Sequence, residues 1–152
     1  MEQRSAVRVR RARRDDVGKL AERAGGPAAG RIRAVRRLLK TLVADVYVLE
    51  RDGGVDGVVA VTYRRSLAEG GLQATIDALH CFGRGDADER RADLLRLLDC
   101  ALTRAERRGC VAVECTSDAG EVREELLRRG FAAGPPRLRQ RLATRAEGEE
   151  EA

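Results

Sequence analysis

"LQATIDALHCFGRGDADERRADLLRLLDCALTRAERRGCVAVECT", residues 72–116, decides how this chain folds. It opens on an apolar, strand-like run and passes a Gly/Arg loop that turns acidic. It then continues at helical spacing and closes on a second short apolar run. Leu94, Leu97, Leu98, Ala101, Leu102 and Ala105 mark the inward stripe of one long helix, which ends near Arg107-Arg108-Gly109. Residues Cys110–Thr116 are bounded on both sides and suit a buried strand. Strand, helix and strand in this order make a βαβ unit, parallel and right-handed. Plain alternation places Leu72, Ala74, Ile76, Ala78 and His80 on one face of the first strand. Gln73, Thr75, Asp77, Leu79 and Cys81 fall on the other.

Upstream, Val46–Arg51 and Val55–Arg64 flank Asp52-Gly53-Gly54 and read as a hairpin. "SLAEGG" (66–71) turns the chain into the βαβ strand, so three strands can run as an antiparallel meander. Further back, Ile32, Val35, Leu38, Leu39, Leu42 and Val43 recur at helical spacing, with Arg31, Arg33, Arg36, Arg37 and Lys40 on the remaining faces. Asp15 and Asp16 are placed to cap a shorter helix with Val17, Leu20 and Ala21 inward, after a strand at Ala6–Arg10. Downstream, Asp118 and Glu121 offer a capping box for a helix over 120–129, Gly130-Phe131 stops it, and Leu138 to Leu142 alternates as a last strand. The order β-α-α-β-β-β-α-β-α-β predicts a mixed α/β fold: one sheet, a meander joined to a parallel βαβ unit, helices on both faces. A single domain is expected over residues 1–146, with an acidic tail at 147–152.

The chain has 152 residues, 43% hydrophobic and 36% charged, but only two Phe, two Tyr and no Trp, so the core must be aliphatic. No apolar run reaches the ~18 residues that span a bilayer. "MEQRSAVRVRR" lacks the apolar core of a signal peptide, which makes a cytoplasmic location the expectation. The net charge is +5, and Lys19 and Lys40 are the only lysines among 30 basic residues. Basic residues are spread along the chain and interleaved with acids, whereas nucleic-acid domains concentrate charge on one face and add exposed aromatics. A nucleic-acid partner contacting 31–40 is therefore the lesser reading. Cys81, Cys100, Cys110 and Cys115 lack metal-type spacing, and His80 is the single histidine, so reduced cysteines and no metal are expected.

Three stretches together resemble the GNAT superfamily of acyl-CoA-dependent N-acyltransferases: "VRVRRARRDDVGKLAERAG", "DVYVLERDGGVDGVVAVTYRR", and residues 76–143 from "IDALHCF" through "EELLRRGF" to the last strand. The resemblance covers roughly residues 6 to 143. It implies acetyl-CoA or another acyl-CoA as cosubstrate and an amine as acceptor, acylated by direct attack. Pantetheine would lie along His80, Cys81, Phe82 and Gly83. The pyrophosphate would meet backbone amides of the 83–92 loop, with Arg84, Arg90 and Arg91 neutralising phosphate.

Two registers are open for the family's Arg/Gln-x-x-Gly-x-Gly/Ala loop. Arg84-Gly85-Asp86-Ala87 keeps the glycine but adds acids. Arg90-Arg91-Ala92-Asp93 suits the helix length but has no glycine. The resemblance makes Asp77 the positional match for the base that deprotonates the amine, and His80 a second candidate beside the acyl site. Cys81 lacks a partner base at a recognisable spacing for covalent transfer. The position that often carries a Tyr acid holds Leu126. A GNAT-fold module that binds ligand or protein without turnover is the alternative reading. An edge strand at 137–142 allows a homodimer.

Overall fold

The computed structural model describes residues 6–23, 29–40, 43–116, 122–134 and 140. Strand β1 (Val7–Arg11) leads through a 3-10 turn (Arg14–Asp16) into α1 (Val17–Arg23) and α2 (Ala29–Lys40). Strands β2 (Ala44–Arg51), β3 (Gly54–Ser66) and β4 (Gly71–Cys81) precede α3 (Ala87–Arg107), β5 (Ala112–Cys115) and α4 (Arg123–Arg128). The five strands lie in chain order, β1-β2-β3-β4-β5; all neighbours are antiparallel except β4 and β5, which are parallel. The mixed sheet, meander plus βαβ unit, is the one the sequence predicts. The expected last strand, the 118–121 capping box, the edge at 137–142 and the acidic tail fall outside the described residues.

Each face of the sheet has its own core. On one face Leu49, Val59, Val61, Ala74, Ile76 and Leu79 pack against Leu94, Leu97, Leu98, Ala101 and Ala105 of α3. On the other, Val46, Val48, Val58 and Ala60 meet Leu20 of α1, with Val35, Leu38 and Leu39 of α2 packed against them. Burial of aliphatic side chains at ~25 cal/mol per Å² of apolar area drives both layers together. Val43 is 58% exposed in the turn after α2, so it does not extend that helix's apolar face as the spacing predicts.

Strand β2 carries opposite charges at its two ends, and α3 answers both. Asp45, at the start of β2, accepts from Arg104 Nε (3.1 Å) and Arg108 Nε (3.0 Å) at the helix C-terminus. Arg51, at the end of β2, donates to Asp93 two turns into α3. Asp88 and Glu89 in the first turn of α3 and Arg104 and Arg107 in its last also complement the helix dipole. The pairs fix the antiparallel setting of α3 over β2 in a way that aliphatic packing alone cannot.

Both described helix ends after the sheet use one device. Cys110 N–H bonds to the Ala105 carbonyl and Gly109 N–H to Glu106, while Phe131 N–H bonds to Leu126 and Gly130 N–H to Leu127. Gly109 (φ +76°) and Gly130 (φ +91°) supply the left-handed residue that this Schellman closure needs. "RRGC" and "RRGF" are therefore the same structural signal.

Three expectations change. Asp15 and Asp16 lie in the first turn as expected, but the N-cap is Arg13: Asp16 is buried, reaches back to accept from the Arg13 amide (2.7 Å) as the carboxylate of a capping box, and pairs with Arg10 (2.8 and 3.0 Å). The strand expected over Cys110–Thr116 shortens to Ala112–Cys115, because Cys110 belongs to the closure of α3. The largest change is in β4. Ala60 pairs with Ala78, yet Val61 pairs with Ile76, so Asp77 is an extra residue, a β-bulge. The bulge swaps the faces beyond it. Leu79 and Cys81 join Ala74 and Ile76 on the α3 side, whereas Ala78 and Phe82 pack toward α1 and α2.

Candidate active site

The bulge is also where β4 stops pairing with β5. Their parallel ladder runs from Gln73–Ala112 to Ile76–Cys115 and ends with the Thr116 amide on the Ile76 carbonyl at 3.1 Å. At that point the Asp77 carboxylate is exposed and accepts from Thr62 Oγ1 at 2.7 Å. An open cleft beside it is bounded by Thr62, Asp77, Glu114, Thr116, Leu126 and Phe131.

The sheet face bearing Asp77 changes character along its strands. Where α1 and α2 cover it, it presents Val46, Val48, Val58, Ala60 and Ala78. Next to them it presents a polar ladder across three strands: Arg64 NH2 donates to Gln73 Oε1 (3.3 Å), and Gln73 Nε2 donates to Glu114 Oε2 (2.9 Å). Such alternation of layers places a carboxylate-bearing wet surface against an apolar wall, the usual make-up of a small-ligand site.

At the other end of β4 the chain enters α3. The Phe82 amide bonds to the Asp56 carbonyl at 2.6 Å, and Asp56 is itself the extra residue of a second bulge, opposite Leu49 and Glu50. Arg51 NH1 donates to Asp56 Oδ2 at 3.0 Å, while Arg51 NH2 reaches both Asp93 oxygens at 2.9 and 3.0 Å. Cys81 Sγ lies 3.8 Å from Asp93 Oδ2. Burial pushes the Cys81 thiol up, and the Asp93 charge adds to it against the Gly83 amide, which favours the thiolate. The balance favours the thiol, the less nucleophilic form.

Helix α3 begins at Ala87 with Asp86 as N-cap, whose Oδ1 accepts the Glu89 amide at 2.8 Å. The Arg90 amide already bonds to the Asp86 carbonyl (3.0 Å), so Arg90, Arg91 and Ala92 stand within the helix. The backbone of an 83–92 loop therefore divides. Amides before Arg90 face the helix N-terminus, and those from Arg90 onward belong to the helical ladder. Of the two registers, Arg84-Gly85-Asp86-Ala87 is the one at the helix start.

Arg84 is exposed there. The Nε atoms of Arg90 and Arg91 are buried and have no hydrogen-bond partner among the described residues, although Arg91 NH2 lies 3.8 Å from Glu125. Buried unpaired guanidinium atoms are costly. His80 is exposed and its ring lies 6.4 Å from that of Phe82. Leu126 packs at the rim of the α3-side core. Among the described residues no three metal-ligating side chains cluster, all four cysteines are free, and no helix is long and apolar enough to cross a membrane.

The architecture matches solved acetyltransferases along almost their whole length. One is the ribosomal-protein-alanine N-acetyltransferase of Brucella melitensis biovar Abortus 2308, with 18% identity, 90% of this chain and 100% of that chain covered, and a TM-score of 0.67. The chain has the GNAT fold. An aminoglycoside N-acetyltransferase solved with CoA shares this GNAT fold at TM-score 0.73 with 12% identity, over 95% of this chain and 99% of that one. A transcriptional regulator from Bacillus halodurans C-125 does so at TM-score 0.72, 21% identity, and 90% and 100% coverage. No protein-family model matches the sequence, and no curated protein matches it either. The β4 bulge and the polar ladder beside Asp77 escaped sequence reading, since neither leaves a fixed spacing pattern.

Proposed function

We propose that this protein is an N-acyltransferase that moves an acetyl or acyl group from acyl-CoA to an amine. The observation that carries it is the Asp77 carboxylate, set outward by a bulge at the end of the β4–β5 ladder, on a strand that leads into the N-terminus of α3. In this reading pantetheine follows β4 past His80, Cys81, Phe82 and Gly83. The phosphates meet the amides of Gly85 to Asp88, with Arg84, Arg90 and Arg91 as counter-charges. Asp77 takes a proton from the amine, the nitrogen attacks the thioester carbonyl, and the C–S bond breaks as CoA leaves as its thiolate. Leu126 offers no proton, so solvent protonates the thiolate. Burial of the Cys81 thiol beside the Asp93 carboxylate, which disfavours the thiolate, supports direct attack over a covalent relay.

The second reading is a GNAT-fold module that binds ligand or protein without turnover. Asp86 favours it, because its carboxylate occupies a helix N-terminal amide that a phosphate would otherwise use. Calorimetry with acetyl-CoA, on the wild type and an Arg90→Glu/Arg91→Glu variant, tests the donor site. Thiol release across an amine panel tests transfer. Saturable CoA binding weakened by the double variant, with transfer to an amine, supports the enzyme. Binding with no transfer to any amine supports the module, and no binding at millimolar acetyl-CoA overturns the enzyme reading.

A further inference from the structure

The β3–β4 register skips Asp77: Ala60 pairs with Ala78 and Val61 with Ile76. Asp77 is also the first residue of β4 beyond the β4–β5 ladder, which ends at Ile76–Cys115 and the Thr116 amide. The extra residue of a bulge is left outside the ladder, and here it lies outside both ladders. Its side chain is exposed as well. A carboxylate in that setting has several χ1 rotamers open to it, and choosing one costs conformational entropy unless a contact fixes it.

Thr62 supplies that contact. It stands on β3, paired with Ala44 of β2 on one side and with Thr75 of β4 on the other, and it is half-buried. A β-branched side chain on a strand laddered from both sides has little rotamer freedom, so the direction of its hydroxyl oxygen is set by the sheet. The hydroxyl has one proton, and it donates that proton to Asp77 Oδ2 at 2.7 Å, the short distance of a charge-assisted bond. Asp77 Oδ1 makes no hydrogen bond among the described residues. The neighbouring carboxylate on this sheet face, Glu114, is instead drawn into the ladder by Gln73, which Arg64 holds in turn. Asp77 thus has one oxygen tied to β3 and one left to accept a proton in the cleft that both residues border.

We propose that Thr62 is a positioning residue for the transfer: its hydroxyl fixes Asp77 through Oδ2, so that Oδ1 takes the proton of the acceptor amine. The inference rests on the acyltransferase reading of the Asp77 cleft. The bulge turns the carboxylate outward, and the threonine selects its rotamer. Thr62 works through Asp77 and keeps its own proton throughout. The amine proton passes to Oδ1, the C–N bond forms, and the C–S bond breaks with its electron pair leaving on sulfur. A misplacement of about 1 Å at a reacting centre can cost on the order of 100-fold in rate, which is why a single hydroxyl matters here.

The test uses the full-length protein with Thr62→Val, which keeps the branched shape and loses the hydroxyl, and Thr62→Ser, which keeps the hydroxyl. Thermal melting checks folding and calorimetry checks acetyl-CoA affinity; both are expected at wild-type values. Three-bond NMR couplings from the Asp77 backbone nitrogen and carbonyl carbon to Cγ read its χ1 angle. A single rotamer is expected in the wild type and in Thr62→Ser, and an averaged one in Thr62→Val. In the transfer assay Thr62→Val loses about 10-fold or more in kcat with the acceptor KM within about two-fold, and Thr62→Ser recovers most of the loss. Added to Asp77→Ala, Thr62→Val costs nothing further, because the hydroxyl then has nothing to hold. A rotamer-averaged Asp77 in the wild type, wild-type kcat in Thr62→Val, or additive losses in the double variant overturns the proposal. A wild type that transfers to no amine removes the acyltransferase reading and the role of Thr62 with it. Wild-type kcat in Thr62→Val removes the role of Thr62 alone, so the two failures are distinguishable.

Discussion

The Arg51 guanidinium grips both carboxylate oxygens of Asp93, at 2.9 and 3.0 Å, across 42 residues of sequence. Its other terminal nitrogen holds Asp56, and the Asp56 carbonyl holds the Phe82 amide. One side chain thereby ties the β2–β3 hairpin to both sides of the loop that enters α3. Arg51→Ala leaves a buried, poorly compensated carboxylate at Asp93, and a loss of about 3 kcal/mol is expected. Thermal melting would register this as a drop of roughly 6–12 °C for a domain of this size. An Arg51→Ala protein as stable as the wild type would show that the pair does not hold the hairpin to α3.

Asp77→Ala separates chemistry from folding. The side chain is exposed and bonds only to Thr62 among the contacts described above, so stability should change by about 0.5 kcal/mol or less. Loss of a general base lowers kcat by about 100-fold or more. CoA affinity, read by calorimetry, stays the same. Unchanged kcat in this variant would remove Asp77 from the mechanism.

Asp86→Ser keeps a helix cap but removes a negative charge from the expected phosphate site. A several-fold tighter Kd for acetyl-CoA is expected, with stability within about 0.5 kcal/mol of wild type. Weaker binding would show that the carboxylate orders the loop for its ligand rather than opposing it.

Asp45 sets the acid limit of the fold. Burial pushes its pKa up, but hydrogen bonds from Tyr63, Arg108 and Arg104 outweigh this and hold it below the usual carboxylate range. Burial and the same Asp45 contact push the Tyr63 hydroxyl up. A depressed folded-state pKa means that this stabilisation is present above the unfolded value, about 4, and is lost as pH falls through the folded value. Asp45→Asn should therefore be less stable than wild type by about 3 kcal/mol near neutrality. The gap should narrow below about pH 4, measured by urea unfolding across pH. A gap constant from pH 7 to pH 2 would contradict the assignment.

Gly130→Ala puts a Cβ on a residue at φ +91°. A cost of about 1 kcal/mol is expected, with a Tm lower by roughly 2–4 °C. Leu126 and Phe131 sit on either side of this closure and border the cleft, so KM for the acceptor is expected to rise as well.

The sequence made the meander, the βαβ crossover and the two Gly-terminated helices readable, because each rests on a local cue: alternation, a 3.6-residue stripe, or a basic turn closed by glycine. Asp77 was legible as a residue but not as a bulge, since "QATIDAL" alternates smoothly and the extra residue becomes visible only against Val61 on β3. Asp45 and Asp93 look like surface acids in sequence. Their burial depends on arginines 59, 63 and 42 residues away, and no local pattern announces such partners. The start of α3 at Ala87 was obscured by the run of charges from Arg84 to Arg91, which is compatible with loop and first turns alike.

The strand order has a kinetic consequence. Strands β2, β3 and β4 are joined by short turns, so their pairing closes small loops and forms early. β5 must wait for the whole of α3 to cross over, and it then contributes only four ladder pairs. The seam beside Asp77 accordingly assembles after the β2–β4 meander and opens before it. In hydrogen exchange Ala112–Cys115 should lose protection before the β3–β4 amides do, and a ligand seated along that seam would slow their exchange most.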